Sequence, residues 1–167
     1  WSHRKNIGTP LDTGSMLMIA EFDPAHPDRL TSEPKCLSRP LYGFENTEHT
    51  INNEGPYAFY YNNKIYLAYS GGDARGYLYA IGMLTANDGD DLCDLSVWEK
   101  AKTPIASFAT IPGEYGPGHN SFFWDRDQNL WIAYHAVTSF EEKIVSSGMR
   151  RVYFEQDKTP RFDVIVE

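Results

Sequence analysis

Residues 57–70 read YAFYYNNKIYLAYS, and residues 120–135 read NSFFWDRDQNLWIAYH. Each is an aromatic run, a polar turn, and a second run closing on an apolar residue, Ala, Tyr and a polar residue. Short runs rich in aromatic and branched side chains favour strands. Asn62-Asn63 and the acidic stretch 125–129 carry turn residues where an antiparallel hairpin has to reverse. Tyr66 and Trp131 stand about 65 positions apart, and each copy is followed by chain enough for two more strands. A four-stranded antiparallel unit recurring at that period is the pattern of β-propeller blades.

Outward from the repeat, the same grammar continues. Further strands are expected at 16–22, 78–84, 150–154 and 161–166, beside the hairpin strands 57–61, 65–70, 121–124 and 130–135. The polar, acidic segment 87–94 reads as a loop, and 91–98 has room for one helical turn. About two complete blades fit, plus the trailing strands of an earlier one. The divisions fall at 1–45 for the end of one blade, 46–110 for the next, and 111–167 for the last. Two blades leave sheet edges to be covered. The chain opens Trp1-Ser2-His3-Arg4-Lys5, neither a starting Met nor a signal peptide, so sequence upstream is expected.

Composition narrows the partners. Of 167 residues, 14% are aromatic, with 11 Tyr and 9 Phe against 4 Met, and Pro and Gly are dispersed, which suits strands and turns. The formal net charge of −8 repels phosphate backbones and anionic bilayers. No apolar run is long enough to cross a bilayer. Neither nucleic acid nor membrane is therefore an expected partner, whereas a neutral polysaccharide is compatible. Cys36 and Cys93 lack metal-type spacing. They are expected to be unpaired thiols, although export would permit pairing.

Each repeat is preceded by a Gly-Pro element: Asn52-Asn53-Glu54-Gly55-Pro56, then Tyr115-Gly116-Pro117-Gly118-His119. The first strand of a propeller blade lines the central channel, so a polar residue at its start faces the channel mouth. Glu54 and His119 are expected to occupy corresponding places and to converge on one axis. Glu54 lies near Tyr57 and Phe59, and a carboxyl among apolar rings is harder to ionise, which suits a proton donor. The plainer reading is a Glu that accepts backbone N–H groups at a turn. His119 reads as a metal ligand, a substrate contact or a core histidine, with Asn120 and Ser121 adding polar groups beside it. His135 reads as structural. The clusters 125–127 and 88–91 lack the spacing of a calcium loop and read as solvated turns. Of the adjacent pair Arg150 and Arg151, alternation sends one side chain to each face of its strand.

The strings INNEGPYAFYYNNKIYLAYSGG and EYGPGHNSFFWDRDQNLWIAYHA, with Trp98, Lys100 and Pro104 spaced between them, resemble glycoside hydrolase family 43 in order and over nearly the whole chain. The resemblance implies a five-bladed β-propeller, of which this chain is the C-terminal part. It implies inverting hydrolysis of arabinose- or xylose-containing plant polysaccharides. It places the general acid at Glu54 and a histidine that helps hold a channel Ca2+ at His119. A substrate-contacting arginine falls at Arg150 or Arg151. Tyr57 and Asn120 join the expected substrate-binding set. The family's two further carboxylates, an aspartate base and an aspartate that tunes the acid, have no matching context here. They are expected in N-terminal blades, on the same gene product or a second chain. Extracellular substrates imply export, although some family members work inside the cell. Two alternatives stay open. One is a non-catalytic carbohydrate-binding propeller that uses Tyr57, Tyr60, Tyr61 and Trp124 as stacking surfaces. The other is an inactive fragment.

Overall fold

A computed structural model describes residues 1–139, 141–142 and 144–163. The chain is all-β, with 14 strands in small antiparallel sheets and two 3-10 turns as the helical elements among the described residues. Three sheets follow one another along the sequence. The first joins β1 (Ser2–His3), β2 (Met16–Ile19) and β5 (Lys35–Ser38), with a hairpin of β3 (Phe22–Asp23) and β4 (His26–Leu30) projecting from it. The second is four-stranded, in the order β6 (Asn53–Tyr61), β7 (Lys64–Gly71), β8 (Ala80–Asn87) and β9 (Glu99–Lys100). The third runs β10 (Tyr115–Trp124), β11 (Leu130–Val137) and β12 (Val145–Arg151). The small pair β13 (Tyr153–Phe154) and β14 (Pro160–Arg161) completes the chain. Consecutive up-and-down sheets of this kind make a partial β-propeller.

The second sheet is covered on both faces, and its sequence shows why. In β7, alternate side chains divide between two cores. Tyr66 and Ala68 join Phe59, Ile81 and Met83 against Phe122, Ile132 and Tyr134 of the third sheet. Leu67 and Tyr69 turn the other way, with Leu84 and Trp98, onto Leu17 and Leu37 of the first sheet. Among the described residues the third sheet is packed chiefly on one face. Leu130, Ile132, Tyr134 and Ala136 are buried in strict alternation, while Phe123, Val145 and Met149 remain exposed.

Observed strands depart from the expected ones at places with a local cause. The strand expected at 16–22 stops at Ile19, and Phe22 pairs instead with Leu30 in the β3–β4 hairpin. The strand expected at 78–84 starts at Ala80 and runs on to Asn87, so the loop expected at 87–94 loses its first residue to the strand. The expected helical turn is the 3-10 turn Leu95–Val97, capped by the Asp94 carboxylate accepting the Ser96 N–H. The run 150–154 is divided at Val152, whose N–H turns to the Leu130 carbonyl. The run 161–166 begins as β14, and its residues beyond 163 lie outside the described ones. The first strands of the second and third sheets, β6 and β10, start earlier than expected and absorb the Gly-Pro elements. Pro56 is accommodated because the β6–β7 ladder skips a register between Glu54 and Tyr57. A bulge requires no ladder N–H there.

Candidate functional site

The two bulges determine what faces the site. In the second sheet Glu54 pairs with Ser70, and pairing resumes at Tyr57 opposite Ala68. In the third sheet Gly118 pairs with His135, and pairing resumes at Ser121 opposite Ala133. Glu54 is therefore equivalent to Gly118, and His119 to Gly55. The expectation that Glu54 and His119 occupy corresponding places is off by one residue. Convergence nonetheless follows, because both bulges lie at the same end of adjacent inner strands. A Cβ placed on Gly55 would lie 3.6 Å from His119 Nδ1.

Glu54 is half-buried. Its Oε1 accepts a 2.8 Å hydrogen bond from the phenol of Tyr79, which lies one residue before β8 and is fully buried. Sequence reasoning missed Tyr79, although the string Tyr77-Leu78-Tyr79-Ala80 ahead of an apolar strand offered a place to look. The ring stacks on His135 at 5.7 Å between centroids and 9° between planes, and His135 in turn stands 6.4 Å from His119. Burial and the neighbouring Glu54 carboxylate raise the Tyr79 pKa, with the Ser70 hydroxyl opposing, so the phenol stays a donor. Burial, then His119, lowers the His135 pKa, with Glu54 opposing. His135 thus belongs to the site's wall.

The aromatic surroundings expected for Glu54 are arranged differently. Phe59 lies in the core, stacked on Tyr66 at 4.9 Å and against Phe122 at 4.5 Å. Tyr57 is 41% exposed with its ring 6.1 Å from Phe122. The close partner of the carboxyl is thus a phenol hydroxyl. Asn120 is buried in the strand after His119, and its amide oxygen and nitrogen have no hydrogen-bond partner among the described residues.

Alternation divides the two arginines as expected, but the structure brings neither together with Glu54. Arg150 pairs across the sheet with Ile132 on the core-facing side, the opposite face from His135. Its guanidinium reaches Glu114 Oε1 at 2.7 Å and the Tyr134 hydroxyl at 2.8 Å. Arg151 is exposed over the ring of Tyr153. Cys36 and Cys93 are free thiols. The acidic turn 125–127 is a hairpin staple, with Asp125 accepting from Asp127 and Asn129 N–H groups and from Trp131 Nε1.

Among the described residues, no three His, Cys, Asp or Glu side chains stand together in a metal-binding group. Calcium takes six to eight oxygen ligands, roughly 2.3–2.6 Å away, and His119 offers a nitrogen. The described residues do not by themselves fit a calcium ion.

A second polar centre, also missed, lies between the first two sheets. Glu45 is fully buried. It accepts the N–H groups of Leu41 and Tyr42 and the hydroxyl of Tyr69, and it pairs with Lys100 at 2.5 Å. Lys100 also reaches the carbonyl of Arg39 at 2.8 Å and Asn53 Oδ1 at 3.4 Å. The lysine of the Trp98-x-Lys100 pattern is therefore a structural cation that ties the start of β6 to the preceding sheet.

The family model described as "Glycosyl hydrolases family 43" matches residues 3–160. The chain belongs to glycosyl hydrolase family 43. Within this family, it is 36% identical over 126 residues to an extracellular exo-α-(1→5)-L-arabinofuranosidase of Streptomyces chartreusis, covering 75% of this chain and 37% of that protein. It is 29% identical over 163 residues to the enzyme of the same name from Streptomyces avermitilis, covering 93% of this chain and 33% of that protein. The crystal structure of an α-L-arabinofuranosidase from Lactobacillus brevis superposes with a TM-score of 0.79 at 31% identity, covering 92% of this chain and 49% of that one. The family 43 chain thus spans about a third of its curated relatives and about half of that structure. Both Streptomyces relatives are named extracellular. Among the described residues no helix is long and apolar enough to cross a membrane.

Proposed function

We propose that this chain carries the proton-donating half of an inverting glycoside hydrolase acting on arabinose- or xylose-containing plant polysaccharides or oligosaccharides. Glu54 is the general acid, and the base is an aspartate outside residues 1–167. The observation that carries the reading is the placement of Glu54 at the bulge of an inner strand, its carboxyl tethered by Tyr79 and the ring of His119 alongside Gly55. The arabinofuranosidase names of the relatives favour a terminal α-L-arabinofuranosyl group as the unit released.

In this reading Glu54 delivers its proton to the glycosidic oxygen as the bond from that oxygen to the anomeric carbon breaks. Water attacks the opposite face of the sugar and gives its proton to the base. The two carboxyls of an inverting pair stand roughly 6.5–9.5 Å apart to admit that water. The base comes from blades contributed by the rest of the gene product or by a second chain, and the protein is exported to meet its polymer. Tyr57 is an exposed contact for the sugar chain beyond the cleaved bond. A channel calcium ion would have to draw its oxygen ligands from outside the described residues.

The test is hydrolysis of aryl α-L-arabinofuranoside and aryl β-D-xyloside by the full-length product beside Glu54→Gln. General acid assistance is typically worth about 10²–10⁴-fold, so the variant should lose that much on substrates with poor leaving groups. Near-wild-type rates on arabinoxylan would refute the assignment.

A further inference from the structure

We propose that Tyr79 is a positioning residue that selects which oxygen of Glu54 carries the transferable proton. The inference rests on Glu54 being the general acid. The terminal torsion of a Glu is broad, with two nearly equivalent oxygens. Here one of them is committed: Oε1 accepts the Tyr79 phenol at 2.8 Å. Oε2 is left to hold the proton and meet the leaving group.

The phenol can impose that choice because it cannot move. Tyr79 is fully buried. On one side lies Gly118, where a Cβ would come within 2.0 Å of Tyr79 Cε1, so the ring occupies the space that any other residue at 118 would fill. The near-parallel ring of His135 stacks on it. The Ser70 hydroxyl lies beside the phenol and opposes the rise in its pKa. Ser70 is the cross-strand partner of Glu54, and its hydroxyl takes the His119 N–H at 2.7 Å. Ser70 is thus bonded to the third sheet's bulge and paired across the ladder with the acid of the second, whose carboxyl Tyr79 holds. During turnover the proton leaves Oε2 for the glycosidic oxygen while the phenol keeps its own. The bond to Oε1 then stabilises the carboxylate that remains, since hydrogen bonding to the charged form favours it.

The experiment compares full-length wild type, Tyr79→Phe and Glu54→Gln on two aryl glycosides of whichever pentose the enzyme releases. One carries a dinitrophenolate leaving group that departs without protonation. The other carries phenolate, which needs the acid. Phe keeps the ring against Gly118 and His135 and removes only the hydroxyl. Tyr79→Phe should lower kcat on the phenyl substrate about tenfold, leave the dinitrophenyl substrate within about twofold, and leave both KM values unchanged. Glu54→Gln should show the same selectivity, but larger. Equal slowing of both substrates by Tyr79→Phe, or slowing of neither, overturns the positioning role while Glu54→Gln still identifies the acid. Glu54→Gln indifferent to leaving group overturns the acid assignment itself and this inference with it. If Tyr79→Phe does not fold, Ser70→Ala removes the polar group beside the phenol and should give the same selectivity in weaker form. Its absence overturns the proposal.

Discussion

Gly55 and His119 hold the same place in successive sheets, each one residue past the last ladder pair before a bulge, with φ of 54° and 50°. The left-handed conformation suits glycine at one and is imposed on histidine at the other, where Ser70 accepts its N–H. The His119 ring consequently lies over Gly55, and the two blade starts meet.

Gly55 and Gly118 should respond differently to alanine. At Gly55 the added methyl finds ordinary contact with His119, and the cost is the left-handed φ, about 1–2 kcal/mol. At Gly118 a methyl would run into the fixed ring of Tyr79. Overpacking costs about 1–3 kcal/mol and occasionally more, and here it would also push on the partner of Glu54. Gly118→Ala should lower both melting temperature and activity more than Gly55→Ala. Gly43→Ala, with open space around its Cβ, should stay within about 0.5 kcal/mol of wild type. Calorimetry on the three variants checks the order.

The blade pattern was legible because the hairpins obey local rules. Aromatic alternation and turn residues determine β6–β7 and β10–β11 without outside help. The bulges were not legible, since Gly-Pro elements read as turns and only cross-strand register reveals them as strand. That one-residue slip is why Glu54 was matched with His119 rather than Gly118. Tyr79 and the Glu45–Lys100 pair were missed for a related reason. Their partners come from other strands or sheets, and no local spacing connects residue 54 to 79 or 45 to 100.

The half-buried Lys100 pairs with the fully buried Glu45, and both make further bonds. Burial pushes the Lys100 pKa down, with Glu45 opposing that shift. Breaking such a pair from one side leaves an uncompensated charge and costs about 3–5 kcal/mol. Lys100→Met should therefore destabilise strongly, although Glu45 keeps its backbone donors. Tyr69→Phe removes one hydroxyl donor from the same carboxylate and should cost less, about 1–3 kcal/mol. Denaturant midpoints that reversed this order would show that Tyr69, and not Lys100, holds the carboxylate.

Asp125 gives the acid limb of stability a defined contributor. Its pKa is lowered to about 2, first by Asn129, then by Trp131 and the turn's N–H groups. Because the folded value lies below the unfolded one, near 4, the unfolded chain binds more protons in that window and stability rises with pH. The contribution is complete above about pH 4 and is lost as pH falls through about 2. Asp125→Asn has one acceptor oxygen, so it cannot accept both the Asp127 and Asn129 N–H groups on one side and Asn129 Nδ2 and Trp131 Nε1 on the other. It should melt lower at neutral pH, and its melting temperature should fall less steeply than that of wild type between those limits. Parallel curves for the two proteins would exclude Asp125 as the titrating group.

Arg150 separates a structural role from a substrate-contacting one. Its guanidinium spans Glu114 and the Tyr134 hydroxyl, and that hydroxyl also donates to Glu114 Oε2. The arrangement needs a planar fork, which lysine lacks. Arg150→Lys should therefore lose one of the two contacts and cost about 1–2 kcal/mol of stability. Facing the core side of its sheet, it should leave kcat/KM on aryl arabinofuranoside within about twofold. Arg151→Ala, exposed over Tyr153, should change stability by less than about 0.5 kcal/mol. If Arg150→Lys instead raises KM about tenfold at unchanged melting temperature, the arginine contacts substrate. The ion pair with Glu114 would then have to open during binding.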